Sequence, residues 1–282
     1  MRLTLPSLNR PHFHKNPVNS KTGIQLAVKD ILDGLLSVHV WAVLGWQEVR
    51  QRYRRSILGP FWITISTALM VAVMGPLYGK LFGQDISSYF AHLGISYVFW
   101  LFLAQTINDS CTAFISAEGY IKQVKLPLTV YVTSVIWKNL VFLAHNFVVI
   151  LLVVAYARPQ IGMSIFLVPV ALVVMAVNGF MFGTMLAALS ARFRDIPMIV
   201  VNLVQVAFFM TPVMWQAQML GRHQWVVNLN PFYHFLEIAR APLLGRPTDA
   251  WSWFAVAAIT LVGGVVCMVT MTRFRSRIAY WV

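Results

Sequence analysis

The chain has 282 residues, of which 59% are hydrophobic and 11% are charged, and its formal net charge is +13. This composition leaves too little polar surface for a soluble globular protein, so it predicts an all-α integral membrane protein. The basic residues stand at the ends of apolar runs rather than in patches, which favours membrane topology over nucleic-acid binding. Two cysteines, Cys111 and Cys267, do not make a disulfide framework and are predicted to be packing residues.

The first predicted element is an amphipathic helix that lies on the membrane surface. Residues 1–22 contain three prolines and no apolar core, so we expect a flexible cytoplasmic tail ahead of it. Over residues 23–56, apolar side chains recur every three or four positions, and polar side chains occupy the rest of the helical wheel. Because Pro60 fits the first turn of a helix but not its interior, a bend and a new helix are predicted there.

Four arginines near the end of this helix indicate the side of the membrane on which it lies. They are Arg50, Arg52, Arg54 and Arg55. Guanidinium groups attract anionic lipid head groups and resist translocation, so this end of the next helix is expected to stay in the cytoplasm.

Six apolar segments follow and are predicted to cross the membrane, which makes residues 57–282 one transmembrane domain. Gly179 and Gly183 of the fourth span form a GxxxG spacing, which permits close approach of another helix. The predicted spans cover residues about 58–80, 88–107, 127–156, 162–191, 197–215 and 251–271.

Two connections between spans carry polar residues and short helical patterns. The first, at residues 108–126, contains Glu118, Lys122 and Lys125 and is expected on the cytoplasmic side. The second, at residues 216–249, is expected on the opposite side. Its helical pattern is too short to cross a membrane, so we predict short re-entrant or interfacial helices between the fifth and sixth spans.

The distribution of Lys and Arg tests this topology, because these residues concentrate on the cytoplasmic side of membrane proteins. Of the 22 such residues, sixteen lie inside, five lie outside and Lys138 lies within a span. The even number of spans places both termini in the cytoplasm. The sixteen are Arg2, Arg10, Lys15, Lys21, Lys29, Arg50, Arg52, Arg54, Arg55, Lys122, Lys125, Arg192, Arg194, Arg273, Arg275 and Arg277.

Motifs for catalysis or energy coupling are absent from the sequence. It has no phosphate-binding loop, no metal-spaced His and Cys cluster, no nucleophile elbow and no acidic residue in the middle of a span. We therefore predict neither a catalytic nor a metal-binding residue, and any energy source is external to this chain. A secondary transporter and a membrane-embedded transferase are the other two classes considered, but each lacks its usual sequence features here.

Several short motifs together carry a family resemblance that covers about residues 35–277. They are Arg52-Tyr53-Arg54-Arg55-Ser56-Ile57-Leu58-Gly59 before a span with Trp62, Arg192-Phe193-Arg194-Asp195-Ile196, Thr211-Pro212, Asn230-Pro231-Phe232-Tyr233-His234 and Arg240-Ala241-Pro242-Leu243-Leu244-Gly245. With these motifs the chain resembles the permease subunit of an ABC-2 type polysaccharide exporter, close to the O-antigen (Wzm-like) permeases.

The resemblance implies a homodimer that binds two copies of a separate ATPase and moves a lipid-linked polysaccharide across the inner membrane. ATP and magnesium would bind to the ATPase, and this chain would hold no cofactor. The amphipathic helix and the 108–126 segment would form the ATPase contact, with Arg50, Glu118, Lys122 and Lys125 as candidates. The 216–249 segment would form an outer gate. The candidate gate residues are Asn230, Pro231, Phe232, Glu237 and Arg240.

The resemblance also suggests where the substrate would be bound. Arg52, Arg54 and Arg55 are suited to a diphosphate on a lipid carrier, because guanidinium groups pair bidentately with phosphate oxygens. Anchoring to anionic lipid is the alternative role for the same arginines. Other surface polymers, such as capsule or teichoic acid, are alternative substrates.

Two groups of residues within spans are candidates for the channel lining. Tyr97, Trp100 and Phe102 offer aromatic faces to sugar C–H surfaces, although packing in the core is an equal alternative. Lys138 and His145 lie seven residues apart on one helix face, which predicts that they face a pore or a dimer contact. A snorkelling lysine is the alternative for that face.

Overall fold

The computed structural model describes residues 20–54, 59 and 61–282, and these residues form helices and connections without any β-strand. The predicted all-α class is therefore confirmed for the described residues. Two 3-10 turns, Met163–Phe166 and Ala217–His223, accompany the α-helices. In chain order the α-helices are α1 Ser20–Leu36, α2 Val38–Tyr53, α3 Phe61–Leu81, α4 Ile86–Ser116, α5 Glu118–Gln123, α6 Thr129–Ala157, α7 Leu167–Arg192, α8 Ile196–Met210, α9 Trp225–Asn228, α10 Pro231–Leu243 and α11 Ala250–Trp281.

The predicted amphipathic helix at residues 23–56 is two helices rather than one. Ser37 separates them, because its ψ of 52° departs from helical geometry. α1 begins at Ser20, inside the predicted tail, and residues 1–19 of that tail lie outside the described residues. Residues 55 and 56 at the other end also lie outside them.

α1 packs on the bundle through small and polar residues rather than through its apolar stripe. Gly23, Ala27, Asp30 and Gly34 are buried, whereas Ile24 of the stripe is 49% exposed. Small side chains let helix backbones approach closely, so this face makes the tertiary contact. The apolar stripe stays exposed, as an interfacial helix requires.

Among the described residues, five helical segments are long and apolar enough to cross a membrane, namely α3, α4, α6, α7 with its preceding turn, and α11. The chain is therefore a multi-pass membrane protein. The fifth predicted span, at residues 197–215, differs from these because α8 has 15 residues and helical structure ends at Met210. At 1.5 Å per residue, α8 is about 22 Å long, less than the ~30 Å hydrocarbon core. Five long helices and one shorter helix thus stand where six spans were predicted.

α4 and α6 are longer than one membrane thickness. They have 31 and 29 residues, which corresponds to about 46 and 43 Å. The second span was predicted to end near residue 107, but α4 continues to Ser116 because Ser110, Cys111 and Phe114 are buried against neighbouring helices. The predicted polar segment at residues 108–126 therefore comprises the end of α4, the short helix α5 and a three-residue connection.

One end of the bundle, which we call the α1 end, gathers α1, the start of α6 and the last turns of α7 and α11. Asp30 of α1 accepts a hydrogen bond from the Thr129 backbone N–H and pairs with Arg275. The Arg192 guanidinium lies 5.4 Å from the centroid of the Trp281 ring. The last turns of α7 and α11 therefore lie together at this end.

The opposite end, which we call the Asp85 end, gathers the connections that follow α3, α6 and α10. They meet around a cavity of about 310 Å³ lined by Asp85, Pro159, Gln216 and Arg246, among others. Since α7 ends at the α1 end, residues 193–216, which include α8, run from one end of the bundle to the other.

α7 crosses α4 at very short range through its two spaced glycines. A Cβ atom on Gly179 would stand 2.8 Å from Cγ2 of Thr106, and one on Gly183 would stand 2.6 Å from Oγ of Ser110. At distances below 3.0 Å the neighbouring side chain has to shift, so both positions favour glycine. The close helix approach predicted from the GxxxG spacing is confirmed.

Candidate functional sites at the two ends of the bundle

The end of α2 carries a basic groove of about 520 Å³. Arg50, Arg54, Tyr53 and Trp46 line it. The Tyr53 hydroxyl is buried and has no hydrogen-bond partner among the described residues. Burial raises the pKa of Tyr53 above its ordinary value, and the charge of Arg52 opposes this rise. The hydroxyl therefore stays protonated at neutral pH, and the groove itself presents two guanidinium groups, which are suited to phosphate oxygens.

Of the arginines predicted to contact a lipid head group, Arg54 lines the basic groove. Arg52 instead lies over the ring of Phe142 in α6, with its guanidinium 5.2 Å from the ring centroid. Arg55 lies outside the described residues. Arg50, which was assigned to the ATPase contact, joins Arg54 in the groove.

α5 presents the charged residues that were predicted to contact the ATPase. Glu118 and Lys122 form a salt bridge of 2.6 Å on its exposed face, and Lys125 is exposed just beyond it. The hydrogen bond from Lys122 holds the pKa of Glu118 below its ordinary value. Tyr120 on the same short helix is 52% exposed. This mixture of charge and an exposed ring at the α1 end is suited to a protein contact, and the assignment stays a prediction.

Lys138 forms an ion triad with Glu48 and Asp109. Its Nζ lies 2.7 Å from Oε2 of Glu48 and 3.0 Å from Oδ2 of Asp109, which joins α6 to α2 and to α4. Two carboxylates offset the cost of keeping a largely buried ammonium group. The Nζ atom is thus engaged inside the chain, and a channel role for Lys138 stays a prediction.

The triad lies at the level of α2 and not at the level of the first span. Trp41 of α2 packs on Trp137 with ring centroids 5.6 Å apart. α3 meets α6 about two turns further along, where Phe61 packs on His145 and Thr64 donates to the His145 carbonyl. Sequence reasoning counted Lys138 within a span, and the structure adds that this part of α6 lies against the interface helix.

The other channel candidates are mostly packed inside the chain. Trp100 and Phe102 are 4% and 2% exposed, and Trp100 contacts the rings of Phe208 and Phe232. Tyr97 is half-buried beside Phe208, and His145 is half-buried with Nδ1 2.7 Å from the Val141 carbonyl oxygen. Burial favours the packing alternative for Trp100 and Phe102, and the channel role of all four residues stays a prediction.

Arg240 is the centre of a buried polar cluster near the Asp85 end. It is 2% exposed, and its Nε and Nη2 atoms each lie 2.7 Å from Oε2 of Glu237, as the three-residue spacing suggested. Its Nη1 atom donates to Oγ of Ser96 at 3.0 Å and to the Pro212 carbonyl at 2.6 Å. The Tyr233 ring lies 5.7 Å away. Arg240 therefore ties α10 to α4 and to the chain that follows α8.

Side chains from α4 and α10 satisfy the carbonyl groups that the end of α8 leaves free. Asn230 donates to the Met210 carbonyl at 3.3 Å, and the Tyr89 hydroxyl donates to the Met214 carbonyl. His92 Nε2 lies 3.2 Å from the Trp215 carbonyl oxygen. Non-helical backbone inside a membrane protein is stable where protein groups satisfy it, and residues 211–216 meet that condition through these bonds and that of Arg240.

The predicted gate residues Asn230, Pro231 and Phe232 form the start of α10. The Asn230 side chain caps the helix by accepting from the Phe232 N–H at 3.0 Å, and Pro231 fits the first turn. Pro231 and Phe232 also line an apolar cavity of about 410 Å³ between α4, α7 and α8. The structure thus assembles the five gate candidates on one short helix, and gating by them stays a prediction.

Sequence reasoning missed the acidic and polar partners of the basic residues. Asp30, Glu48 and Asp109 each bind a cation from a distant helix, and Tyr89 and His92 bind backbone carbonyls more than 100 residues away. One signal was available for Asp30, which lies on the small-residue face of α1. The other partners depend on helix pairings that a single sequence does not reveal.

A comparison with models of protein families identifies the family of the chain. Residues 39–244 match the model of the family described as ABC-2 type transporter. The chain belongs to the ABC-2 type transporter family. The match covers the ABC-2 chain from the first turn of α2 to the end of α10, so it includes the basic groove, α5 and the Arg240 cluster.

Curated relatives of this ABC-2 chain have names that specify a substrate. An O-antigen export system permease protein RfbA from Myxococcus xanthus is 26% identical over 224 residues, which are 77% of this chain and 85% of that protein. Two proteins of the same name from Klebsiella pneumoniae are 21% and 22% identical over 187 and 188 residues, each 66% of this chain and 72% of the relative.

Proposed function

We propose that the chain is the membrane permease subunit of an ATP-driven exporter that moves an O-antigen-type, lipid-linked polysaccharide across the inner membrane. The observation that carries this proposal is membership of the ABC-2 family together with relatives named as O-antigen export permeases. The basic groove supports it, because a phosphate-bearing lipid carrier would present anionic oxygens at that surface.

The proposal includes six crossings with both termini in the cytoplasm. Five are the long apolar helices, and the sixth is α8 together with residues 211–216. This reading is supported by the bonds that Tyr89, His92 and Arg240 make to the carbonyls of those residues. The concentration of Lys and Arg at the α1 end supports a cytoplasmic location for that end.

Labelling of single introduced cysteines tests this topology. We expect Arg222→Cys to react with a membrane-impermeant maleimide added to intact spheroplasts, and Gly119→Cys to react after the membrane is opened. Both native cysteines are buried, so they contribute little background. Protection of Arg222→Cys in intact spheroplasts would contradict the six-crossing arrangement.

A separate ATPase would supply the energy, and two copies would bind a homodimer of this chain. The exposed charged surface of α5 is the proposed contact, since it lies at the proposed cytoplasmic end. ATP and magnesium would bind in the partner, and the permease would contribute the path and no catalytic residue.

The basic groove would hold the phosphate groups of the lipid carrier. Arg50 and Arg54 would pair with phosphate oxygens. Arg52 would act differently, because its guanidinium is already stacked on Phe142.

Deletion and complementation test the function and the groove together. Deletion of this chain should remove the surface polysaccharide and leave lipid-linked glycan on the cytoplasmic side of the membrane. Complementation by the Arg50→Gln/Arg54→Gln variant should lower export by about tenfold or more, because hydrogen bonds to charged groups are worth roughly 1.5–3 kcal/mol each. Arg52→Gln is the matched control and should lower export less than about fivefold, the range of one exposed cation–π contact.

Two results would contradict these proposals separately. Unchanged surface polysaccharide after deletion, with loss of small-molecule efflux or of another surface polymer, would reject the proposed substrate. Equal effects of Arg52→Gln and the Arg50→Gln/Arg54→Gln variant would reject the groove as the head-group site.

A further inference from the structure

Asp30 is a buried carboxylate to which the fold brings three separate segments. It is 3% exposed and lies in the middle of α1. Its carboxylate accepts hydrogen bonds from the backbone N–H groups of Leu128 at 3.3 Å and Thr129 at 3.2 Å. Arg275 of α11 donates to it from Nε at 2.7 Å. One side chain thus joins α1, the start of α6 and the last turns of α11.

The start of α6 depends on this distant carboxylate. The first turn of a helix has backbone N–H groups without intrahelical partners, and a nearby side-chain oxygen usually accepts from them. Leu128 stands at the cap position of α6 and offers no such oxygen. Asp30 takes that role from 98 residues away, and its negative charge also matches the positive end of the helix dipole.

α1 and the start of α6 are in close contact at Gly34 and Thr129. The Thr129 hydroxyl donates to the backbone carbonyl of Asp30 at 2.7 Å. A Cβ atom on Gly34 would collide with Oγ1 of Thr129, so the Gly34 backbone lies directly against the Thr129 side chain. Hydrogen bonds and close contact therefore hold α1 and the start of α6 together.

The residues that Asp30 binds follow α5 closely in the chain. α5 ends at Gln123, and the connection that follows leads directly to the two residues that Asp30 binds. A displacement of α5 is therefore passed along this connection to the Asp30 carboxylate. From there it reaches α1, which lies against the bundle, and α11 through Arg275.

We propose that Asp30 is a positioning residue for transport, which couples movement of α5 to α1 and α11. The proposal rests on the proposed function, in which α5 is the contact with the ATPase. With Asp30 in place, the ATPase stroke moves three segments together. Without its carboxylate, α5 can move while α1 and α11 stay behind, and ATP hydrolysis loses its connection to export.

The experiment measures ATP hydrolysed per glycan exported by the reconstituted complex of this permease with its ATPase. Asp30→Asn should raise that ratio by about tenfold, a factor that corresponds to about 1.4 kcal/mol, near the lower range for a hydrogen bond to a charged group. The matched control is Asp33→Asn on the exposed face of the same helix, which should leave the ratio unchanged. A role in folding alone would lower both rates in parallel with the amount of complex and would leave the ratio constant.

Two further variants distinguish a failure of the Asp30 proposal from a failure of the proposed ATPase contact. Arg275→Gln keeps the helix cap but removes one link, so it should raise the ratio severalfold even if Asp30→Asn does not accumulate. A wild-type ratio in the accumulated Asp30→Asn or Arg275→Gln variant would overturn the proposal. Reversal of the Glu118 and Lys122 charges tests the contact itself, because normal coupling in that variant would reject α5 as the ATPase contact independently of Asp30.

Discussion

Replacement of Arg240 by methionine is expected to lower the free energy of unfolding by about 3–5 kcal/mol, the usual cost of removing one partner from a buried ion pair. The change leaves the Glu237 carboxylate, which is 13% exposed, without its cation. It also leaves the Pro212 carbonyl without the bond that satisfies it. Denaturant titration of the purified chain in detergent micelles measures the loss.

A double variant separates the loss of the pair from the loss of packing. Arg240→Met combined with Glu237→Leu removes both charges, and we expect it to recover a large part of the stability because no isolated buried charge remains. Lys80→Met, which removes an exposed cation near the same end, is the control and should change stability by less than about 0.5 kcal/mol. A loss below about 1 kcal/mol for Arg240→Met would mean that the pair behaves as a surface salt bridge.

Gly245→Ala is expected to be the second severe substitution, with a cost of about 2–5 kcal/mol, because it combines backbone strain with a backbone clash. Gly245 has a φ of 69° and ends α10, where Arg246 N–H donates to the Ala241 carbonyl at 3.0 Å. A Cβ atom there would stand 2.2 Å from the carbonyl oxygen of Gln160, and backbone atoms do not move aside cheaply.

The control for this prediction isolates the clash. Gly83 has a φ of 63°, but a Cβ atom on it would meet nothing within 4 Å. Gly83→Ala should therefore cost only the left-handed strain, about 1–2 kcal/mol. Equal unfolding temperatures for the two alanine variants would show that the Gln160 backbone shifts to accommodate the added Cβ atom. The end of α10 would then not be fixed against that connection.

The hydrophobic pattern was sufficient to predict the membrane class, the helices and most of their bounds. An apolar run of about 20 residues has the length and composition that a membrane-spanning helix needs. The positions of α3, α7 and α11 could therefore be predicted from composition and length. The short helical pattern within residues 216–249 also predicted a helix such as α10, which the Asn230 side chain caps. The pairing of Glu237 with Arg240 is local too, since residues three apart on a helix are neighbours.

Local pattern was insufficient where a tertiary contact competed with it. The apolar stripe of α1 predicted a helix on the membrane surface, but it gave no sign that Gly34 and its small neighbours form the face that packs on α6. The helix of the second span continues beyond residue 107, where the span was predicted to end, because Ser110, Cys111 and Phe114 are buried and extend α4. The apolar neighbours of Lys138 likewise gave no sign that α2 packs beside them.

The sequence by itself determined that this chain crosses a membrane several times, which end is basic, and which family it belongs to, because these properties depend on composition and on short motifs. The tertiary structure alone decided which charged and polar side chains meet across distant helices. Asp30 with Arg275, Glu48 and Asp109 with Lys138, and Ser96 with Arg240 are pairs that join distant helices. Such pairs form only when packing brings helices together, and packing depends on side-chain shape across the whole bundle, which no local pattern encodes.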